Sequence, residues 1–181
     1  LAYIAAPGGA VEIVDLADGF HTTFATHLGE PASWAPDGET LVVGDSVPLG
    51  EMLLSHLFVA DLRAGTLREL GAADPSDDGS AAWSPRGDWI AFGRRQIGGA
   101  AATLGRQLWL ARPDGGEARA LTAEPAANYS AFAWSPDAGR LLAVRFALGE
   151  PGARPAVWLF DVSAGEGREL VEGATQPGWV P

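Results

Sequence analysis

Apolar residues in this chain come in short runs, and each run is closed off within a few residues by glycine, proline or aspartate. Leu41-Val42-Val43, Trp89-Ile90-Ala91-Phe92 and Leu141-Leu142-Ala143-Val144 are of strand length, and each is entered through a tryptophan-proline turn. Those turns read WAPDG from Trp34, WSPRG from Trp83 and WSPDAG from Trp134, with a clipped WVP from Trp179, at intervals of 49, 51 and 45 residues. Proline presets its own backbone angle, aspartate caps the turn with its side chain, and glycine accepts the left-handed conformation without steric cost. A second run keeps register with the first: EIVDLADG at 12–19, LFVADLRAG at 57–65, LWLARPDG at 108–115 and VWLFDVSAG at 157–165. A third follows as LREL at 67–70, ARALT at 118–122 and REL at 168–170, with HTTFAT at 21–26 as a divergent copy. Helix is nearly excluded, since 24 glycines and 13 prolines leave no apolar pattern of helical period intact over about 10 residues.

Each repeat therefore holds four short strands at a period of about 40 to 50 residues, the arithmetic of a propeller blade rather than of a helical solenoid. An immunoglobulin-like sandwich is the competing all-β reading, but it would not repeat one turn motif at a near-constant interval. The predicted fold is an all-β propeller of four-stranded antiparallel blades. The chain divides into 1–30 (strands two to four of a blade), blades at 31–79, 80–130 and 131–175, and a first strand at 176–181. That is 16 strands, or four blade-equivalents, in a single propeller domain or segment.

The order of W-S-P-D-G turn, apolar strand, apolar strand ending in Asp, and R-x-L-T resembles the WD40-like repeat of TolB-type propellers over the whole chain. It also resembles the propeller domains that precede the catalytic domain of prolyl-oligopeptidase-type serine peptidases. Departures from the pattern are Ala35 and Val180 in place of the serine, Arg86 in place of the aspartate, and Ala138, read as inserted before Gly139. The TolB resemblance implies about six blades, so the chain is expected to be a slice of a larger propeller. A first residue of Leu1 and a lone methionine at Met52 suggest a processed or truncated piece. The other reading is a four-bladed ring latched by its last strand, which would bring Leu1 and Pro181 within roughly 14 Å.

Composition narrows the function. A chain of 181 residues, 47% of them hydrophobic, can bury a core without staples, and with no cysteine it has neither disulfides nor thiolate metal sites. Twelve arginines and no lysine stand against 23 acidic residues, a net charge of −11, and the largest basic cluster is Arg94-Arg95 with Arg106. Such a surface repels polyanions, so no nucleic-acid partner is expected. No run of about 18 apolar residues exists to cross a membrane as a helix. The compartment stays open, periplasmic or extracellular being implied by the resemblance alone.

Candidate chemistry is sparse. Trp34, Trp83, Trp134 and Trp179 could be a stacking set, but their fixed place in every repeat reads as packing between blades. Trp109 and Trp158, equivalent to Phe58 and Ile13, read as core, and Trp89 is less constrained. GDSVP at 44–48 has Ser46 but no downstream His-Asp pattern, and no G-x-S-x-G elbow exists, so Ser46 reads as a loop residue. His21, His27 and His56 share no metal-ligand spacing. The stretch ADPSDDGS at 73–80, with Asp74, Asp77 and Asp78, lacks the ligand order of a calcium site and reads as a solvated loop. The glycine-rich 93–107 lacks a Gly-Lys-Ser/Thr ending, and with 47–56 it reads as a long loop between second and third strands, where propellers present contacts. No catalytic, cofactor-binding or metal-ligating residue is assigned. The expected role is a non-enzymatic scaffold for a protein or peptide partner, the alternatives being the gating propeller of a serine peptidase and a propeller lyase or cyclase with a channel metal.

Overall fold

A computed structural model describes residues 2–4, 10–19, 21–24, 31–71 and 75–180. Among them are fifteen strands and no helix. β1 (Ala2–Ile4), β2 (Val11–Val14) and β3 (His21–Phe24) form a three-stranded sheet. The first complete blade is β4 (Ser33–Trp34), β5 (Thr40–Leu49), β6 (Met52–Asp61) and β7 (Thr66–Glu69). The second is β8 (Ser76–Trp83), β9 (Ile90–Gln96), β10 (Gln107–Ala111) and β11 (Arg119–Ala120), and the third is β12 (Ala127–Trp134), β13 (Arg140–Ala147), β14 (Ala156–Asp161) and β15 (Gly167–Glu172). Every pairing is antiparallel between neighbours in sequence, the meander of a propeller blade.

Each middle strand is covered on both faces, which is why it reads as an unbroken apolar run rather than as an alternation. Leu41 and Val43 pack back onto Val11 and Ile13, while Val42 packs forward with Ile90, Phe92 and Trp83. In the same way Ala91, Leu108 and Leu110 meet Tyr129, Leu141, Ala143 and Phe160 of the third blade. Trp109 and Trp158 pack at the borders of these clusters.

Two repeated polar devices join neighbouring blades. The indole Nε1 of Trp134 donates to Ala82 O at 3.0 Å, and that of Trp179 donates to Ala133 O at 3.0 Å. The arginines of the outer strands β7 and β11 reach forward: Arg68 donates to Pro113 O, and Arg119 to Val162 O at 3.0 Å. Trp179 thus docks on the third blade as Trp134 docks on the second, although 176–180 form no strand. Leu1 and Pro181 lie outside the described residues, and with them the end-to-end distance that separates ring from slice.

Three expectations change. The first strands β8 and β12 start at Ser76 and Ala127, ahead of the divisions drawn at 79/80 and 130/131. A bulge in each, with Ser80 at φ 55 and Ala131 at φ 52, lets the strand run on past its apolar segment. Residues 47–56 are not a loop: β5 and β6 pair without a break to Leu49↔Met52, closed by a two-residue turn with Gly50 at φ 60. Ala138 is not an insertion either. It occupies the left-handed turn position held by Gly38 and Gly87, with φ 55 against 70 and 78, and its N–H donates to Ser135 O at 2.8 Å as theirs do to Ala35 and Ser84.

Candidate functional site

The strands leave each blade with two unlike ends. At one lie the turns after the first and third strands. Asp37 Oδ1 accepts the N–H groups of Glu39 and Thr40 at 2.8 Å each, Asp61 those of Arg63 and Ala64 at 2.9 and 2.8 Å, and Asp161 those of Ser163 and Ala164 at 2.9 Å. Three turn carboxyls are held below their ordinary range: the Ala164 N–H leads at Asp161 and the Ser135 hydroxyl at Asp137, while at Asp37 desolvation pushes the other way but is outweighed together by the Glu39 and Thr40 N–H groups and the Thr40 hydroxyl. We call this the turn end.

At the other end lie the connections between second and third strands and the starts of β8 and β12. Here the acidic stretch and the basic cluster meet. Asp77 pairs with Arg95 and Asp78 with Arg94 across the β8–β9 ladder. The Asp78 carboxylate accepts from Arg94 Nε at 2.8 Å and Nη2 at 2.6 Å, and Arg94 Nη2 also donates to Gly71 O at 2.9 Å. Both side chains are buried, and the guanidinium lies 5.0 Å from the Phe92 ring and 5.2 Å from that of Trp109. Asp77 takes Arg106 at 3.2 Å and Arg95 at 3.5 Å, and receives the Ser55 N–H of the first blade at 3.2 Å. The solvated loop expected at 73–80 is therefore, from Ser76 on, a strand that carries a buried ion pair; Asp74 lies outside the described residues.

The third blade repeats this layer with other residues. Tyr129 stands opposite Arg145 as Asp78 stands opposite Arg94, and Arg145 lies 5.4 Å from the Trp158 ring. Glu124 joins the two, accepting Tyr129 OH at 2.5 Å and Arg145 at 2.6 and 2.9 Å. Burial pushes the Tyr129 phenol above its ordinary value, and the Glu124 carboxylate adds to the effect. Burial of Glu124 acts the other way, but the Tyr129 hydroxyl and Arg145 outweigh it and hold its carboxyl low. Gln107 completes the layer through Glu124 and Ala127 O and through the Thr122 hydroxyl and Glu124 N–H.

Above this layer rises the β5–β6 hairpin, ten residues in each strand against seven and five in β9–β10. Its tip exposes Leu49, Met52 and Leu53 at 42%, 50% and 72%, while the β9–β10 connection exposes Leu104 at 70% and the end of β13 exposes Phe146 at 38%. At the arm's base, Ser55 Oγ, His56 Nε2 and Ser76 Oγ are buried without a hydrogen-bond partner, while His56 Nδ1 lies 2.6 Å from Glu69. We call this the arm end.

The remaining sequence candidates do not assemble. Ser46 lies within β5, opposite Ser55, with its N–H on Asp45. His21 is on β3 of the three-stranded sheet, His56 on β6 of the next blade, and His27 lies outside the described residues. In 93–107 two glycines serve packing: a side chain at Gly93 would meet Tyr129 O at 3.0 Å, and one at Gly105 would collide with the Ala127 backbone. Among the described residues no three His, Cys, Asp or Glu side chains group as metal ligands. Leu49, Met52 and Leu53 fall within 47–56 and Leu104 within 93–107, the stretches expected to present contacts, but an apolar residue beside glycine and proline looks like any other strand residue, so none was singled out. For the buried ion pair, the opposed charges at 77–78 and 94–95 were the visible signal.

Neither a family model nor a curated protein matches the sequence. Solved structures do match in fold. A TolB protein of Agrobacterium tumefaciens superposes with a TM-score of 0.63 at 19% identity, covering 93% of this chain and 63% of that one. An oligogalacturonate lyase of Vibrio parahaemolyticus gives 0.62 at 16% identity over 90% of this chain and 48% of the lyase. A prolyl endopeptidase gives 0.58 at 16% identity over 90% and 25%. The chain has a TolB-like propeller fold and spans less than two thirds of the length of these structures.

Proposed function

We propose that this propeller is a non-enzymatic scaffold that docks a protein or peptide partner at its arm end. The observation that carries the reading is the cluster of exposed apolar tips, Leu49, Met52 and Leu53, on a hairpin that extends beyond its blade. Large apolar side chains gain nothing from solvent, and on a rigid scaffold loop ends are where contacts are made. The TolB-like fold is compatible with such a role but does not dictate it.

Peptides selected from a random library against the chain should bind at the arm. Met52→Ser and Leu53→Ser should weaken them by at least about tenfold, as loss of a central apolar anchor does, while Leu16→Ser at the turn end should not. Binders indifferent to the arm substitutions would overturn the reading. The alternative, a gating propeller of a peptidase, draws on the fold shared with a prolyl endopeptidase. It predicts that the whole gene product cleaves proline-containing peptides.

A further inference from the structure

The turn end is built by repetition, and three residues break its pattern. Arg86 stands where the other blades have Asp37 and Asp137, Trp89 where they have Thr40 and Arg140, and Ala138 where they have Gly38 and Gly87. Nothing in the sequence relates these three to one another. In the structure all three line one groove of about 430 Å³ between the second and third blades, together with Arg119, Arg140 and Val162. The corresponding groove between the first and second blades has Asp37 and Thr40 at the positions of Arg86 and Trp89, and Arg86 lines its far side together with Arg68.

The groove also contains three carboxylates, which keep their charge while their oxygens are engaged within their own turns. Asp88 Oδ1 accepts the Ser84 hydroxyl at 2.8 Å, Asp137 Oδ1 the Ser135 hydroxyl at 2.6 Å, and Asp161 the turn N–H groups. The arginines are committed less. Arg119 spends one nitrogen on Val162 O, and its guanidinium lies 5.6 Å from the Trp89 ring, whose other neighbour is Arg112 at 4.1 Å. Among the described residues the guanidiniums of Arg86 and Arg140 take part in no hydrogen bond or ion pair, although Arg140 is near enough to help hold Asp137 and Asp161 ionised.

We infer that this groove binds a compact organic anion, its oxyanion head held by Arg86 and Arg140 and its apolar body against Trp89 and Val162. Guanidinium forks match the planar geometry of carboxylate and phosphate oxygens, and the volume falls within the range of small-molecule sites. The ligand is compact because a chain of net charge −11 repels an extended polyanion, and in a groove whose three arginines balance three aspartates it is the guanidinium forks, rather than net charge, that recognise one head group.

Calorimetric titration of the chain with benzoate, inorganic phosphate and neutral benzyl alcohol tests this. Saturable binding of benzoate, of phosphate or of both is expected, and none of the alcohol; which anion binds identifies the head group. Arg86→Asp restores the residue that the other blades carry, so the variant should melt normally yet lose at least about tenfold in affinity, the effect of removing one charge-assisted bond. Arg140→Gln, which removes a side chain in no hydrogen bond, should do the same and serves if Arg86→Asp fails to fold. No saturable binding of either anion, or affinity unchanged in both variants, would overturn the assignment.

Discussion

The turn end and the arm end are made by the same strands, yet they are held by different kinds of interaction. At the turn end an aspartate caps N–H groups two or three residues further on, as Asp37 and Asp161 do. Such bonds need only local sequence, so they recur from blade to blade. At the arm end Asp78 meets Arg94 and Tyr129 meets Arg145 across a hairpin, and Ser55 meets Asp77 between blades. Those partners are brought together only by the fold, and each blade fills the layer differently. Repetition thus marks what every blade needs, and departures from it mark what is particular to this protein.

The largest expected effect comes from breaking the arm-end layer where it is most buried. Arg94→Met leaves the Asp78 carboxylate buried and unpaired, and should cost about 3 to 5 kcal/mol in denaturant unfolding. Adding Asp78→Leu should recover most of it, because the pair as a whole is worth little more than apolar packing. If the single variant were neutral, the layer would not be what holds this end.

A smaller effect is expected in the third blade. Tyr129→Phe removes one hydrogen bond to a carboxylate that Arg145 still holds, for about 1.5 kcal/mol. It should also change the pH profile. The folded protein retains the Tyr129 proton more tightly than the unfolded chain, so its contribution is complete below about pH 10 and is lost as pH rises beyond that. Stability followed from pH 8 to 11 should fall less steeply in the variant.

At the turn end the sign reverses. Ala138 holds a left-handed backbone that costs a non-glycine residue about 1 kcal/mol, so Ala138→Gly should stabilise by about that amount and raise the melting temperature. A destabilised variant would mean that the methyl group packs in the groove more than the backbone strains.

This contrast also explains what the sequence disclosed. The propeller, its four-stranded blades and the roles of the signature tryptophans were legible because turn chemistry and apolar runs are local and repeat. The lengths of the strands were not. Pro48 and Gly50 punctuate the β5–β6 hairpin as they would a loop, and only continuous pairing from Thr40↔Asp61 to Leu49↔Met52 shows otherwise. Asp77 and Asp78 resembled a solvated loop because strands with bulges lose their simple period, as β8 does between Gly79 and Ala82. Had β8 been extended through its bulge, Asp77 would have fallen opposite Arg95 and Asp78 opposite Arg94. The groove that joins Arg86, Trp89 and Ala138 had no such signal, since it is formed between blades and each departure alone looked harmless.

That the arm end serves a partner rather than the fold is tested most directly by the unfolding free energy of a variant carrying Leu49→Ser, Met52→Ser and Leu53→Ser. Exposed side chains away from the core should change it by no more than about 0.5 kcal/mol each. A loss beyond about 3 kcal/mol, the cost of removing buried leucines, would show that the tips belong to the core and contradict the account.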